Sequence, residues 1–255
     1  WDHVDVQTNG VISGTSIIAR RFLLDAVDGV APQSGEFTVR SAAQGIVNGR
    51  LHAARNAQVA MDHEGNFIVA WEEYVGDGYD IFFQSYNADG STLGGTQQPN
   101  QLVGPDFAGH QVNPSVAMDG DGDFAVVWNG QGGEPDPIDP ANPDLVGDVD
   151  ASGVFVREYS AGFGATGTVP QAIASQKRVN YTTAGIQETP TIAMEPDGDF
   201  IVVWSGQGVG DHHGIFSRRY DKVEDNAGPM VTDFTDAAGT SLGNGIQVIA
   251  EMNHI

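Results

Sequence analysis

A fifteen-residue segment occurs three times without gaps, and it constrains the fold more than any other feature of the chain. The copies read AQVAMDHEGNFIVAW at 57–71, PSVAMDGDGDFAVVW at 114–128 and PTIAMEPDGDFIVVW at 190–204. In each copy Met stands ten positions before Trp, Gly six before it and Phe four before it. Chance does not reproduce three such coincidences, so the chain is built from repeated structural units.

A second shared segment of six residues follows each copy, at 81–86, 154–159 and 215–220. The same segment occurs once more at 17–22, which places Trp1 where the repeat Trp belongs. We therefore expect that the sequence begins inside a repeat and is an excerpt of a longer polypeptide. On that expectation the lack of a signal peptide carries no information.

The repeat predicts a β-hairpin followed by two further strands. Short apolar runs at 115–118 and 124–128 flank the turn Asp-Gly-Asp-Gly-Asp, whose Gly supplies the positive φ of a bulged turn. The six-residue segment is the third strand, and 37–39, 101–103 and 178–181 are candidates for the fourth. The predicted fold is all-β, with four-stranded antiparallel blades of a β-propeller in an incomplete ring. A β-solenoid is the competing architecture.

The spacing of the repeats also sets the domain boundaries. Trp-to-Trp distances of 70, 57 and 76 residues suit blades with loops of different length. The expected organisation is a partial unit at 1–54, three units at about 55–108, 109–184 and 185–224, a linker at 225–229 and a distinct segment at 230–255.

These motifs resemble the repeats of very large secreted bacterial surface proteins, which read close to P-x-V-A-M-D-x-D-G-D-F-V-V-V-W followed by G-I-F-x-x-R-Y. The resemblance covers residues 1 to about 224. Gly228-Pro229-Met230-Val231-Thr232 resembles the start of a bacterial Ig-like domain. For 230–255 the alternative is a terminal strand of the propeller plus a tail. The resemblance implies a β-propeller fold and an extracellular, structural role.

Charge excludes several classes of function. The chain has 34 acidic and 11 basic residues, a formal net charge of −23, and no cysteine. Binding to nucleic acid or to an anionic membrane surface requires clustered Lys and Arg, so neither is expected. No apolar run approaches the roughly 18 residues of a membrane span. An exported bacterial protein that relies on packing rather than on disulfides fits this composition.

The hairpin turns carry oxygen ligands at three alternate positions around a Gly, the arrangement that a Ca²⁺ loop uses. The predicted metal ligands are Asp62, Glu64, Asn66, Asp119, Asp121, Asp123, Glu195, Asp197 and Asp199. The EF-hand pattern fails, because its twelfth position counted from Asp119 is Gly130. The alternative is that these are ordinary turn residues at a solvated edge.

The other motifs give weaker evidence for a binding or catalytic site. The insertion at 129–153 contains six carboxylates spaced by Pro residues. It either binds a cation or a partner, or it is a solvated loop kept open by its own charge. His212 and His213 are adjacent, and without a third ligand at suitable spacing they are weak evidence for zinc. GFGATG at 162–167 is expected to be a turn between antiparallel strands rather than a dinucleotide site. No catalytic motif is present, and no catalytic residue is predicted.

The sequence therefore predicts a non-catalytic, extracellular or cell-surface structural or adhesion module, stabilised by Ca²⁺. Its expected partners are proteins or glycans at the cell surface, with assembly into larger structures. Two alternatives stay open: a propeller-fold carbohydrate-active enzyme with a carboxylate pair in the central funnel, and a packing subunit of a surface layer or filament. The role rests on analogy at the level of the fold.

Overall fold

The computed structural model describes residues 2–6, 12–25, 29–41, 46–47, 50–51, 53–74, 78–93, 101–102, 110–132, 150–160, 169–173, 176–180, 185–208, 211–220 and 246–247. These residues form strands joined by turns. Within these ranges, no helix has the length and apolar character that crossing a bilayer requires.

Twenty strands follow one another within these described ranges. They are β1 Asp2–Val6, β2 Ile12–Ala19, β3 Phe22–Asp25, β4 Gly29–Pro32, β5 Phe37–Arg40, β6 Ile46–Val47, β7 Arg50–Leu51, β8 Ala54–Met61, β9 Phe67–Tyr74, β10 Tyr79–Tyr86, β11 Gln101–Leu102, β12 Gln111–Met118, β13 Phe124–Gly132, β14 Asp150–Ser160, β15 Gln171–Ala172, β16 Lys177–Arg178, β17 Gln187–Met194, β18 Phe200–Gly208, β19 Asp211–Tyr220 and β20 Ile246–Gln247.

Each repeat forms one antiparallel sheet. The strand orders are β8-β9-β10-β11 in blade 1, β12-β13-β14 with β15 and β16 in blade 2, and β17-β18-β19-β20 in blade 3. The partial unit forms a three-stranded sheet in the order β1-β2-β5. Asp2 pairs with Ile17 in that sheet, and Glu72 pairs with Ile81 in blade 1. Because Asp2 and Glu72 each follow a repeat Trp position, this equal register confirms the alignment of 17–22 with 81–86.

The turn of each repeat hairpin has the predicted geometry. Gly65, Gly122 and Gly198 have φ of 91°, 90° and 95°, a region that only Gly enters without strain. The apolar strand that follows the turn is covered on both faces in blade 1, where all eight residues of β9 are buried. The hairpin and the buried second strand are thus confirmed.

Neighbouring blades pack through their inner strands. β12 lies against β8, β9 and β10, and β17 lies against β12, β13 and β14, so the first strand of each blade covers the preceding sheet. The interface between blades 1 and 2 contains Phe83, whose ring contacts those of Phe124 and Tyr159 at centroid distances of 5.3 and 4.9 Å. Four-stranded blades stacked around their first strands confirm the all-β, propeller-type fold.

The outer strands differ most between blades. β5 and β11 match predicted fourth strands, whereas in blade 2 two short strands, β15 and β16, both pair with β14. In blade 3, Ile246–Gln247 pairs with β19. The other residues of 230–255 lie outside the described part of the chain, so the Ig-like domain stays a prediction.

Two places in the row of sheets are less covered than the interfaces between blades 1, 2 and 3. A cavity of about 550 Å³ opens between β2 and β8, beside exposed Val59 and Met61. Ala19 stands there at the repeat position that Phe83 fills in blade 1. In blade 3, Ile201 is exposed whereas its counterpart Ile68 is buried, because no sheet follows blade 3 within the described residues.

Candidate functional site

A β-bulge interrupts the first strand of every blade at the same repeat position. The pairing register shifts between Arg55 and Gln58 in blade 1, and at the equivalent places in β12 and β17. The bulged residues are Asn56, Asn113 and Thr189, and their φ values are 53°, 56° and 50°. Positive φ costs free energy in residues other than Gly. Residues with such backbone angles cluster at functional sites, where the surrounding structure holds them in place.

The side chain of each bulged residue bonds to the residue that follows the repeat Trp. Asn56 Nδ2 donates to Glu72 Oε1 in blade 1. Asn113 Nδ2 donates to Asn129 Oδ1 over 2.9 Å in blade 2. The hydroxyls of Thr189 and Ser205 lie 2.8 Å apart in blade 3. The bulge is therefore fixed to the second strand in all three blades.

The three bulges meet in one cavity, which we name the axial pocket. It has a volume of about 290 Å³ and lies among the inner strands β8, β12 and β17. Its walls are amides, hydroxyls and proline rings: Asn56, Gln58, Asn113, Pro114, Ser115, Thr189, Pro190 and Thr191. Pro is accommodated in these strands because it follows a bulge, where the ladder is interrupted. The pocket is lined by neutral polar groups.

Asn129 connects two blades behind the axial pocket. Its Oδ1 accepts a bond of 3.2 Å from the backbone N–H of Thr189 in addition to the bond from Asn113. A shared acceptor ties the bulge of blade 2 to the bulge of blade 3. The geometry of the pocket is thus set by contacts across blades as well as within them.

A buried carboxylate stands behind the blade 1 bulge. Glu72 is fully buried and bonds to Asn56, and its Oε2 lies 3.4 Å from Arg55 Nη2. The guanidinium of Arg55 lies 3.9 Å from the centroid of the Tyr79 ring. Glu73 is the neighbouring residue on β9, and its side chain leaves the opposite face of the sheet. The two carboxylates therefore do not face each other across a cavity.

Glu73 belongs to a separate, interblade ion pair. Arg40 of β5 bonds to both of its oxygens, with Nε–Oε2 and Nη2–Oε1 distances of 2.7 and 2.6 Å. The hydrogen bond to Glu73 raises the pKa of Arg40, against a smaller opposing effect of burial. Trp71 Nε1 also donates to Glu73, over 3.1 Å.

The predicted calcium ligands are arranged in two ways. In the first two turns the leading acid caps its own turn: Asp62 Oδ1 accepts from the N–H groups of Glu64 and Asn66, and Asp119 Oδ1 accepts from those of Asp121 and Asp123. In the third turn Asp199 Oδ2 pairs with Arg219 at 2.9 Å, and Asp197 Oδ1 accepts from the N–H of Asp199 at 3.4 Å. Glu195 is exposed.

The three turns lie side by side at one end of the blades. His63 contacts the carbonyl of Gly120, and the N–H of Gly120 donates to the carbonyl of Pro196 over 3.1 Å. Across the described ranges, no group of three or more His, Cys, Asp or Glu side chains is arranged to hold a metal ion. The calcium assignment stays a prediction.

Two other sequence features fall largely on residues that the structure leaves undescribed. They are 133–149 of the acidic insertion and the Gly-rich stretch 162–167. His212 and His213 lie in β19, but their side chains are outside the described set.

The axial pocket was not predicted from the sequence, although a signal for it exists. The aligned repeats place Asn56, Asn113 and Thr189 five residues before Met, and a polar residue directly after each Trp. Polar side chains at two fixed positions of an otherwise apolar hairpin indicate a repeated hydrogen bond. Only the stacking of the blades shows that these bonds surround one cavity.

Comparison with known proteins adds structural neighbours only, since no protein-family model and no curated protein matches the chain. A Hadza microbial sialidase, Hz136, is 12% identical with a TM-score of 0.40, covering 81% of this chain and 45% of that one. An endo-arabinase from Bacteroides thetaiotaomicron VPI-5482 is 10% identical with a TM-score of 0.35, covering 92% and 89%. An exo-1,5-alpha-L-arabinanase from a bovine ruminal metagenomic library is 13% identical with a TM-score of 0.34, covering 92% and 74%.

The chain thus spans under half the length of the sialidase. At these identities and scores the likeness carries no argument about activity.

Proposed function

We propose that the chain is a non-catalytic, extracellular recognition module that binds neutral glycans of the cell surface in the axial pocket. The observation that carries the proposal is the chemistry of the pocket wall. Amide and hydroxyl groups from three blades surround a cavity of about 290 Å³, and no carboxylate of the described residues lines it. Such groups donate and accept hydrogen bonds, as sugar hydroxyls require.

The arrangement of the acids supports binding over hydrolysis. Glycoside cleavage uses two carboxyl groups about 5 to 9.5 Å apart on either side of the scissile bond. Glu72 is buried behind Asn56, and Glu73 is held by Arg40 on the other face of the sheet. The repeated, symmetric character of the pocket wall also favours a scaffold for recognition.

Binding is tested with an array of neutral and acidic oligosaccharides, followed by titration calorimetry of the best ligand. Replacing Thr191→Arg fills the pocket from an exposed strand position and should weaken binding at least tenfold. Thr38→Arg makes the same change at the exposed Thr38 of β5, away from the pocket, and should leave binding unchanged.

The same samples are assayed for release of reducing sugar. No release is expected from the wild type over hours of incubation with bound ligand. Steady release that Glu72→Gln abolishes would overturn the proposal in favour of the glycosidase alternative. Failure of every glycan to bind would also reject it.

A further inference from the structure

Arg178 is buried in the outer strand of blade 2. The residue is 2% exposed, although this residue type is seldom buried without a charged partner. Its Nε donates to the carbonyl of Asn180 over 3.1 Å. The position is fixed by backbone pairing, because Arg178 pairs with Phe155 of β14 and Val179 N–H bonds to the carbonyl of Val154.

Within the described part of the chain, the two terminal nitrogens of Arg178 have no hydrogen-bond partner. Nη1 and Nη2 are both inaccessible to solvent, and no described group accepts a bond from either. Among the described residues Arg178 also forms no ion pair. A guanidinium is positively charged, and burial of that charge away from water is costly unless an anion or acceptor lies nearby.

The fold does not require a charge at this position. In blade 1 the residue paired with the equivalent Phe82 is Leu102, and in blade 3 the residue paired with Phe216 is Gln247. A blade is therefore built with Leu at the same register. Among these three blades only blade 2 has a cation at this register, where blade 1 has Leu, which points to a ligand rather than to packing.

The surroundings of Arg178 favour a negative ligand. Arg157 lies two residues from Phe155 on β14, on the same face of the sheet, and its guanidinium lies 5.6 Å from the centroid of the Tyr159 ring. Lys177 and Glu158 leave the opposite face and pair with each other at 3.7 Å. Two cations thus share one face in a chain whose net charge is −23.

We propose that Arg178 is the centre of an anion site between blades 1 and 2, and that it binds a small planar oxyanion of the carboxylate class. With Nε occupied by Asn180, the Nη1 and Nη2 groups offer two N–H donors to two oxygens of one ligand, the arrangement in which guanidinium and carboxylate pair best. The site is separate from the axial pocket and independent of glycan binding.

The experiment measures melting temperature against formate concentration at constant ionic strength, with chloride as the exchanged ion. The wild type should show a saturable rise, about 5 °C at a hundred times the dissociation constant. Arg178→Leu, which copies the residue of blade 1, should lose the rise. Arg219→Leu removes an exposed Arg from a neighbouring blade and should keep it.

Two results would overturn the proposal. One is an equal response of the wild type and Arg178→Leu, which would mean a general salt effect. The other is a wild-type melting temperature that does not depend on formate, which would assign the charge of Arg178 to an acceptor within the chain. If Arg178→Leu fails to fold, the same formate titration of Arg178→Lys tests the proposal. Its single ammonium keeps the charge but should lose the preference for formate over chloride.

Discussion

Gln111 Oε1 accepts a hydrogen bond of 3.0 Å from the indole Nε1 of Trp128. Gln187 and Trp204 make the same bond at 3.1 Å in blade 3. Blade 1 has Ala54 at the Gln position, and there Glu73 of the second strand accepts from Trp71 instead. The repeat Trp of each of these three blades therefore has an acceptor, supplied from the first strand in two blades and from the second strand in one.

Replacing Gln111→Ala is expected to lower the free energy of unfolding by about 1–3 kcal/mol, because the buried Trp128 N–H loses its acceptor. Urea unfolding followed by tryptophan fluorescence measures the change. The matched control is Gln58→Ala on exposed β8, which should stay within about 0.5 kcal/mol of the wild type. Equal stability of the two variants would contradict the assigned role.

Gly130 leaves the space that Gln111 occupies. A Cβ at Gly130 would lie 2.3 Å from Gln111 Oε1 and 2.6 Å from the carbonyl oxygen of His110. Gly130→Ala should therefore destabilise the protein by about 1–3 kcal/mol, as overpacking does. Gly35→Ala is the control, since nothing lies within 4 Å of its added Cβ. Thermal unfolding of both variants tests this, and a Gly130→Ala melting point equal to that of Gly35→Ala would refute it.

Arg40 neutralises a buried carboxylate across a blade boundary. Removing it with Arg40→Met leaves Glu73 buried without its cation, and we expect a loss of about 1–3 kcal/mol, reduced because Arg40 is partly exposed. Arg219→Met breaks a more exposed pair and should cost less than about 1 kcal/mol. The double variant Arg40→Met with Glu73→Gln should recover part of the loss. A strictly additive cycle would show that the pair is not coupled.

Burial raises the pKa of Tyr159 to about 12, with nearby Arg157 acting in the opposite direction. Below the unfolded-state pKa of about 10 the tyrosine is protonated in both states and does not affect the pH dependence. Above it the unfolded chain loses the proton first, so stability falls between about pH 10 and 12, by about 1 kcal/mol at pH 11. Urea unfolding of Tyr159→Phe should lack this contribution. A wild type and variant that decline in parallel would contradict the assignment.

The calcium prediction is testable without disturbing the turn caps. After exhaustive chelation, adding Ca²⁺ should raise the melting temperature, and Asp121→Asn with Asp123→Asn should remove that rise. Asp119 is kept because its carboxylate accepts two backbone bonds. Asp89→Asn, in another exposed turn, is the control. If Ca²⁺ raises the melting temperature no more than Mg²⁺ does, these acids are turn residues and not calcium ligands.

Much of the fold follows from local patterns. The spacing of Met, Gly, Phe and Trp predicts the hairpin and its Gly turn, because strand alternation and positive φ are decided within a few residues. The fourth strands were located only in part. β15 and β20 contain two residues each, and a strand that short pairs because a neighbouring sheet edge is available, which no local pattern records.

The candidate sites also combine features that local sequence predicts with features that only tertiary packing produces. The sequence by itself determined the repeated units, their antiparallel strands and the acids of the turns, since these depend on residues close in the chain. Only the tertiary structure decided that Asn56, Asn113 and Thr189 surround one pocket and that Arg178 is buried on one face of blade 2. Both features depend on how separate sheets pack against one another. Packing brings together residues that are far apart in the chain, and no local sequence pattern determines which of them meet.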